Sequence, residues 1–368
     1  MRGRAWREAE ELSEAARWAE AGAAWWAITE RAAAEPVRAR ESARRAADAF
    51  RRDDRPAAAA KALGVALAGT TPAGADAAQL AAVLLDAGQV EAAAGVAEQA
   101  VRGLPHDAPT AERAIALDTR AGLRLVAGEV EAARDDLDAL EALGVPGAAW
   151  SHRFRAAQVA RLDGALGAAD AGWQALEAAL GGDRRVAGPA AACAQERGEL
   201  EVLRAALRGV AQLPADEDAL DRARAAFGRA AEAWNAVGRR AGLFRAEAWR
   251  ARVERLAGLD VAAPSIDRAI AWAEDRGMVL LLADLRACRA VVRHDADDAR
   301  AAARLLSEAP VARARALVLA AELGAADVDL RDAMERLRVD APWGARALAA
   351  SPDPAMRGLA PTRAIVFL

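Results

Sequence analysis

Tyrosine is missing from this 368-residue sequence, lysine occurs once, at Lys61, and there are two cysteines and three histidines. Each scarcity excludes something. Cys193 and Cys288 lie far apart, in no CxxC or His-spaced pattern, so neither a disulfide framework nor a zinc site is expected and both read as small buried residues. The lone lysine sits in Ala57-Ala58-Ala59-Ala60-Lys61-Ala62 rather than after a glycine-rich turn, and no GxGxxG follows a strand. That leaves an NTPase without its phosphate cradle, and Lys61 as a solvated helix residue. His106, His152 and His294 have no Cys, Ser or second His at helical spacing, so no nucleophile–base pair is in sight. No stretch reaches the roughly 18 uncharged apolar residues of a membrane span. The opening MRGRAWREAEELSEAARWAE is too acidic and too interrupted for a signal peptide, so the expected location is cytoplasmic, with no membrane partner.

β-Branched residues are also sparse, and the one short Val/Ile run is Ala364 to Leu368. What fills the sequence instead is alanine, followed by Arg, Glu, Asp and Leu, a composition that favours helix throughout. The predicted fold class is therefore all-α. Fifty Lys+Arg against 54 Asp+Glu leave a net charge of −4, with the two signs interleaved rather than blocked. Such a pattern gives no footprint for a nucleic acid.

A local pattern recurs. Gly88-Gln89-Val90 is followed by Ala93, Ala97, Ala100 and Val101 and closed by Pro105, with Leu80, Ala81 and Leu84 upstream. Gly128-Glu129-Val130 leads to Ala133, Leu137 and Leu140; Gly164-Ala165-Leu166 to Ala169, Trp173 and Leu176; Gly198-Glu199-Leu200 to Leu203, Leu207 and Val210. Glycine suits a chain leaving a helix in a left-handed conformation, and alanine suits two helices that approach closely. These offsets resemble the tetratricopeptide (TPR) consensus, in which Gly ends helix A and small residues line helix B until a Pro stops it. The resemblance implies a right-handed α-solenoid of helical hairpins, each repeat burying the apolar face of its neighbour.

On this basis residues 73–215 are read as TPR-like repeats and 216–341 as degenerate ones, after an N-terminal helical region over 1–72 and before a tail over 342–368. The N-terminal region is expected to break near Gly22, at Pro36, at Pro56 and at the loop Gly69-Thr70-Thr71-Pro72. Further helices are predicted over 278–293, 296–308, 311–324 and 327–338, each punctuated by Asp, Pro or Gly. Within the degenerate part, Phe227 to Trp272 carries AAEAWNAVGRRAGLFRAEAWRARVERLAGL and IDRAIAWAEDRG. The order of Trp, Gly-Arg turn and Ala-rich helix resembles the TPR-like sensor arms of large LuxR-type bacterial regulators.

His294-Asp295-Ala296-Asp297-Asp298 crowds an imidazole and three carboxylates together, but an Asp before an Ala-Arg helix is expected to act as its N-cap. Most of the ten tryptophans read as fillers of gaps between helices. In the pair Trp25-Trp26, both rings cannot face one core. TPR phase implies a concave groove lined by helix A residues, here Asp118, Phe154, Gln158, Arg161, Arg185 and Gln195. Where TPR domains that clamp chaperone carboxylates carry Lys and Asn, this chain has Ala78 and Ala82, which argues against that clamp. The expected function is a non-catalytic scaffold for a protein or peptide, with no cofactor. The alternative is a regulatory or sensor arm of a transcription regulator or CHAT-type protease system.

Overall fold

The computed structural model describes residues 4–69, 74–105, 107–180, 187–210, 217–261 and 263–329, with positions 331, 332, 334 and 335. Among these the chain is all-α, with no strand. The N-terminal helices are α1 (Arg4–Glu14), α2 (Trp18–Arg31), α3 (Pro36–Arg52), α4 (Pro56–Ala66), α5 (Gly74–Asp86) and α6 (Val90–Gly103). Then come α7 (Thr110–Ala127), α8 (Val130–Ala142), α9 (Ala149–Leu162), α10 (Leu166–Leu180), α11 (Ala187–Val210) and α12 (Glu217–Ala236). The last are α13 (Arg240–Leu256), α14 (Pro264–Arg276), α15 (Val279–Arg293), α16 (Ala296–Leu305) and α17 (Pro310–Glu322). Pro36 and Pro56 each open a helix, where a missing N–H is harmless. The predicted strand at Ala364 to Leu368, most of the helix predicted over 327–338, and residues 342–368 lie outside the described residues.

One turn geometry recurs. After α5, α7 and α9 the chain enters the left-handed region at Gly88 (φ 78°), Gly128 (80°) and Gly164 (76°). The next N–H then donates back across the turn, Gln89 to the Leu84 carbonyl at 2.9 Å and Glu129 to that of Arg124 at 2.8 Å, as in a Schellman motif. The same bond closes turns that have no glycine, at Ala16 (φ 54°), Asp54 (55°) and His294 (56°). Two expected breaks are not breaks. Gly22 lies inside α2 and Gly198 inside α11. A Cβ on Gly22 would sit 2.6 Å from Phe50 Cδ1, and one on Gly198 2.7 Å from Phe227 Cε1. Both glycines let an aromatic ring from a neighbouring helix come close; they end nothing.

Each helix packs on its sequence neighbours, and α5 also touches α7, α7 touches α9, and α13 touches α15. With the side-chain bonds from α9 to α11 and from α11 to α13, the odd-numbered helices from α5 to α15 lie side by side. Alanines allow the close approach: Ala93, Ala97 and Ala100 of α6 are buried, as are Ala133 of α8 and Ala169 of α10. Large side chains fill what remains, with Trp25, Trp173, Phe227 and Leu140 fully buried. Each such side chain contributes about 1.5–3 kcal/mol by leaving water. Cys193 and Cys288 are free and buried.

The C-terminal helices return to the N-terminal ones. Helix α15 touches α5, and Val279 lies against Gly88 so closely that a Cβ there would meet its Cγ1 at 2.6 Å. Arg276 Nε donates to the Asp53 carbonyl at 3.3 Å, Arg55 pairs with Asp275 at 3.8 Å, and the Glu91 N–H donates to Glu308 at 3.3 Å. Val311 and Ala314 of α17 join one buried cluster with residues of α7 to α11. That cluster spans the boundary placed between 215 and 216.

Candidate functional site

The odd-numbered helices bring most of the expected groove residues to one face, where they bond to their own chain. Gln158 Nε2 (α9) donates to Glu196 Oε1 of α11 at 2.7 Å, and Arg161 donates to the other oxygen of Glu196 at 2.8 Å. Gln195 is buried and donates to Glu199 at 2.9 Å. Asp118 of α7 faces Arg155 at 3.7 Å, an ion pair too long for a hydrogen bond. Phe154 is buried, stacked on Trp150 with centroids 5.1 Å apart and tilted towards Trp173 at 6.4 Å. Arg185 lies outside the described residues. The expected open concave surface is therefore covered in part: α17 lies over it, and Phe154 belongs to the cluster that Val311 and Ala314 complete.

The polar chain runs on across the face. Glu199 takes Arg245 of α13 at 3.0 Å and stands 3.6 Å from Arg161. Arg245 in turn donates to Asp284 of α15 at 2.9 Å, which also accepts from Trp249 Nε1 at 3.1 Å. Burial pushes the Glu199 carboxyl up, but Arg245, then Arg161, the Gln195 amide and Arg252 outweigh it and hold it below its usual range. Arg245 is held above its ordinary value, first by Glu199.

Between this face and α17 lies a cavity of about 340 Å³. The face contributes Arg161, Glu199, Arg245, Trp249, Arg252 and Asp284, and Arg315, Ala316 and Leu319 of α17 stand opposite. Arg245 keeps 45% of its side chain accessible although protein surrounds it, as fits a wetted cavity wall. Burial and then the like charge of Arg161 push Arg315 down to about 10, with Glu199 opposing. Sequence reasoning reached Arg161 but not the other arginines. Arg245, Trp249 and Arg252 stand at i, i+4 and i+7, which puts them on one helix face and was the available signal.

Neither the family models nor the curated proteins match this chain. The site is read from its geometry.

The remaining candidates have local roles. Asp295 caps α16, its carboxylate accepting from the Asp297 N–H at 2.9 Å, while Asp298 is buried against Arg289 at 2.6 Å. His294 supplies the turn. Trp25 is buried edge-on against Trp6, centroids 4.8 Å apart. Trp26 donates to Glu30 at 2.7 Å and carries the Lys61 ammonium over its ring at 4.8 Å. His106 lies outside the described residues. Among the described residues no group of three His, Cys, Asp or Glu could hold a metal ion, and no helix is long and apolar enough to cross a membrane.

Proposed function

We propose that this chain is a non-catalytic scaffold, a right-handed solenoid of TPR-like hairpins whose odd-helix face holds a helix or extended peptide of a protein partner. One observation carries the reading: that face already holds a helix, α17, with Val311 and Ala314 one turn apart and both buried among α7 to α11 residues. A face that accepts a small-residue helix from its own chain has the shape for helix-in-groove recognition. A partner helix reaches it by displacing α17. The chain is read as cytoplasmic, as a partner-binding protein without a cofactor. The cavity under α17 favours a second reading, a regulatory or sensor arm, in which occupancy of that cavity sets whether the face is open.

The test is affinity capture with the full chain, followed by hydrogen exchange on the complex. Displacement predicts faster exchange in α17 together with protection of α9 and α11. Capture that leaves α17 unchanged and protects only even-numbered helices would overturn the inner-face assignment.

A further inference from the structure

Where the C-terminal helices return to the N-terminal ones, turns meet turns, and the polar contacts are weaker than those inside the stack. The bonds from the Glu91 N–H to Glu308 and from Arg276 to the Asp53 carbonyl both span 3.3 Å, past the usual range of roughly 2.7–3.2 Å. The Arg55–Asp275 pair spans 3.8 Å between side chains 40% and 62% accessible, and exposed pairs contribute little. Arg161 and Glu196, within the stack, stand at 2.8 Å. An apolar contact joins the same turns: the branched side chain of Val279 fills the notch that Gly88 leaves by having none. Parting these turns breaks no helix, and segments held by wetted polar bonds open well below global unfolding.

The seam borders the cavity. Val279 is followed in the chain by Leu280, and Glu308 by Ala309, and both followers line the cavity under α17. Asp86 ends α5 two residues before Gly88, and the charge of Asp54, in the α3–α4 turn, acts on it. Arg239 acts on both carboxylates, while Arg276, Arg240 and Asp53 act on Asp54. Burial raises both carboxyls above their ordinary range, and for Asp86 the charge of Asp54 adds to it. Parting the turns relieves burial and repulsion together, so the proton is held more tightly in the closed form.

We infer that this seam is a gate on the cavity under α17, latched by Val279 in the Gly88 notch and by Glu308 at the start of α6, and released by repulsion between the Asp54 and Asp86 carboxylates. The gate goes beyond the scaffold reading and does not depend on it, since opening leaves α17 in its seat.

Spin labels on the full chain carrying Glu91→Cys and Ser307→Cys, both exposed positions, measure the width of the seam, and the buried Cys193 and Cys288 stay unlabelled. A short separation is expected at about pH 4, joined at about pH 8 by a longer one, with the open-to-closed ratio raised by up to about fivefold because solvent screens Asp86. Asp86→Asn should match the parent at the lower pH and keep the seam shut at the higher. Val279→Ala should widen it at both. Access to the cavity is read at a single pH of about 8, where thiol chemistry is the same for every variant. Alkylation of the thiol introduced by Ala309→Cys, at a buried cavity position, should slow in Asp86→Asn and quicken in Val279→Ala. The exposed Ser307→Cys should react alike in all. Asp86→Asn keeps the test decisive if Val279→Ala fails to fold. A separation that ignores pH, a pH dependence that survives Asp86→Asn, or Ala309→Cys alkylation indifferent to Asp86→Asn would overturn the gate. None of these outcomes touches the displacement of α17 by a partner, which hydrogen exchange decides.

Discussion

Asp136 has 3% of its side chain exposed and takes two arginines of α7, Arg120 at 2.5 Å and Arg124 at 2.8 Å. Both arginines also reach Glu98 of α6, at 3.2 and 2.8 Å, so four charges tie α6, α7 and α8 together. The Glu98 carboxyl sits below its usual range because both arginines outweigh its burial. Asp136→Ala leaves two partly buried guanidiniums facing a single carboxylate, and breaking such a buried network destabilises by about 3–5 kcal/mol. Urea unfolding measures this, and a loss below about 1 kcal/mol would mean that water replaces the missing carboxylate. Asp136→Asn, which keeps one acceptor oxygen, should lose less. The sequence displays the interleaved charges but not these pairings, because periodicity says which face a residue occupies and not which helix it meets. The left-handed turn residues were half legible for a related reason. Glycine announces such a turn at Gly88, Gly128 and Gly164, whereas Asp54 and His294 are residue types that enter it less often and Ala16 gives no signal at all.

At the scale of helices, glycine has two meanings that spacing alone does not separate. Gly198 follows the repeat pattern of Gly88, yet α11 runs straight through it because the Phe227 ring needs the space. That ring is fully buried and stacks on Trp249 with centroids 5.7 Å apart, so it has little room to retreat. Gly198→Ala gains about 1 kcal/mol of helix propensity and loses about 1–3 kcal/mol to overpacking, so the net change is a loss. Gly95, in the middle of α6, has nothing within 4 Å of where its Cβ would stand. Gly95→Ala should therefore stabilise by about 1 kcal/mol. Parallel thermal melts decide the matter: Tm should fall for Gly198→Ala and rise for Gly95→Ala, and shifts of the same sign would refute the close-approach role of Gly198. Helix identity was the most legible layer, since predicted segments over 278–293, 296–308 and 311–324 became α15, α16 and α17. The seat of α17 against α7 to α11 was not legible. Its pairing joins residues more than a hundred positions apart, and nothing local in Val311 or Ala314 records the partner.

At the scale of the whole molecule, the return of the C-terminal helices sets carboxylates of the N-terminal turns against arginines of later ones. Asp54, in the turn after α3, and Asp86, at the end of α5, stand close enough to repel, with Arg239 of the α12–α13 turn acting on both and Arg276 and Arg240 on Asp54. Enclosure and then the charge of Asp54 raise the Asp86 carboxyl to about 6, with Arg239 opposing. In the unfolded chain the same group titrates near 3.9. Between these values the folded chain holds a proton that the unfolded chain has released, so stability falls as pH rises from about 4 to about 6 and the full penalty persists above that. Asp86→Asn removes the titration. The variant should match the parent near pH 4 and exceed it near pH 8. Because the Asp86 side chain is open to water in the seam, solvent screening holds the gain to about 1 kcal/mol or less. Arg239→Ala should act in the opposite direction, taking away the cation that acts on both carboxylates and steepening the loss of stability above pH 4. Melting curves across this range check both variants, and an Asp86→Asn chain that is less stable than the parent at pH 8 would mean that the ionised carboxylate helps to close the seam rather than straining it.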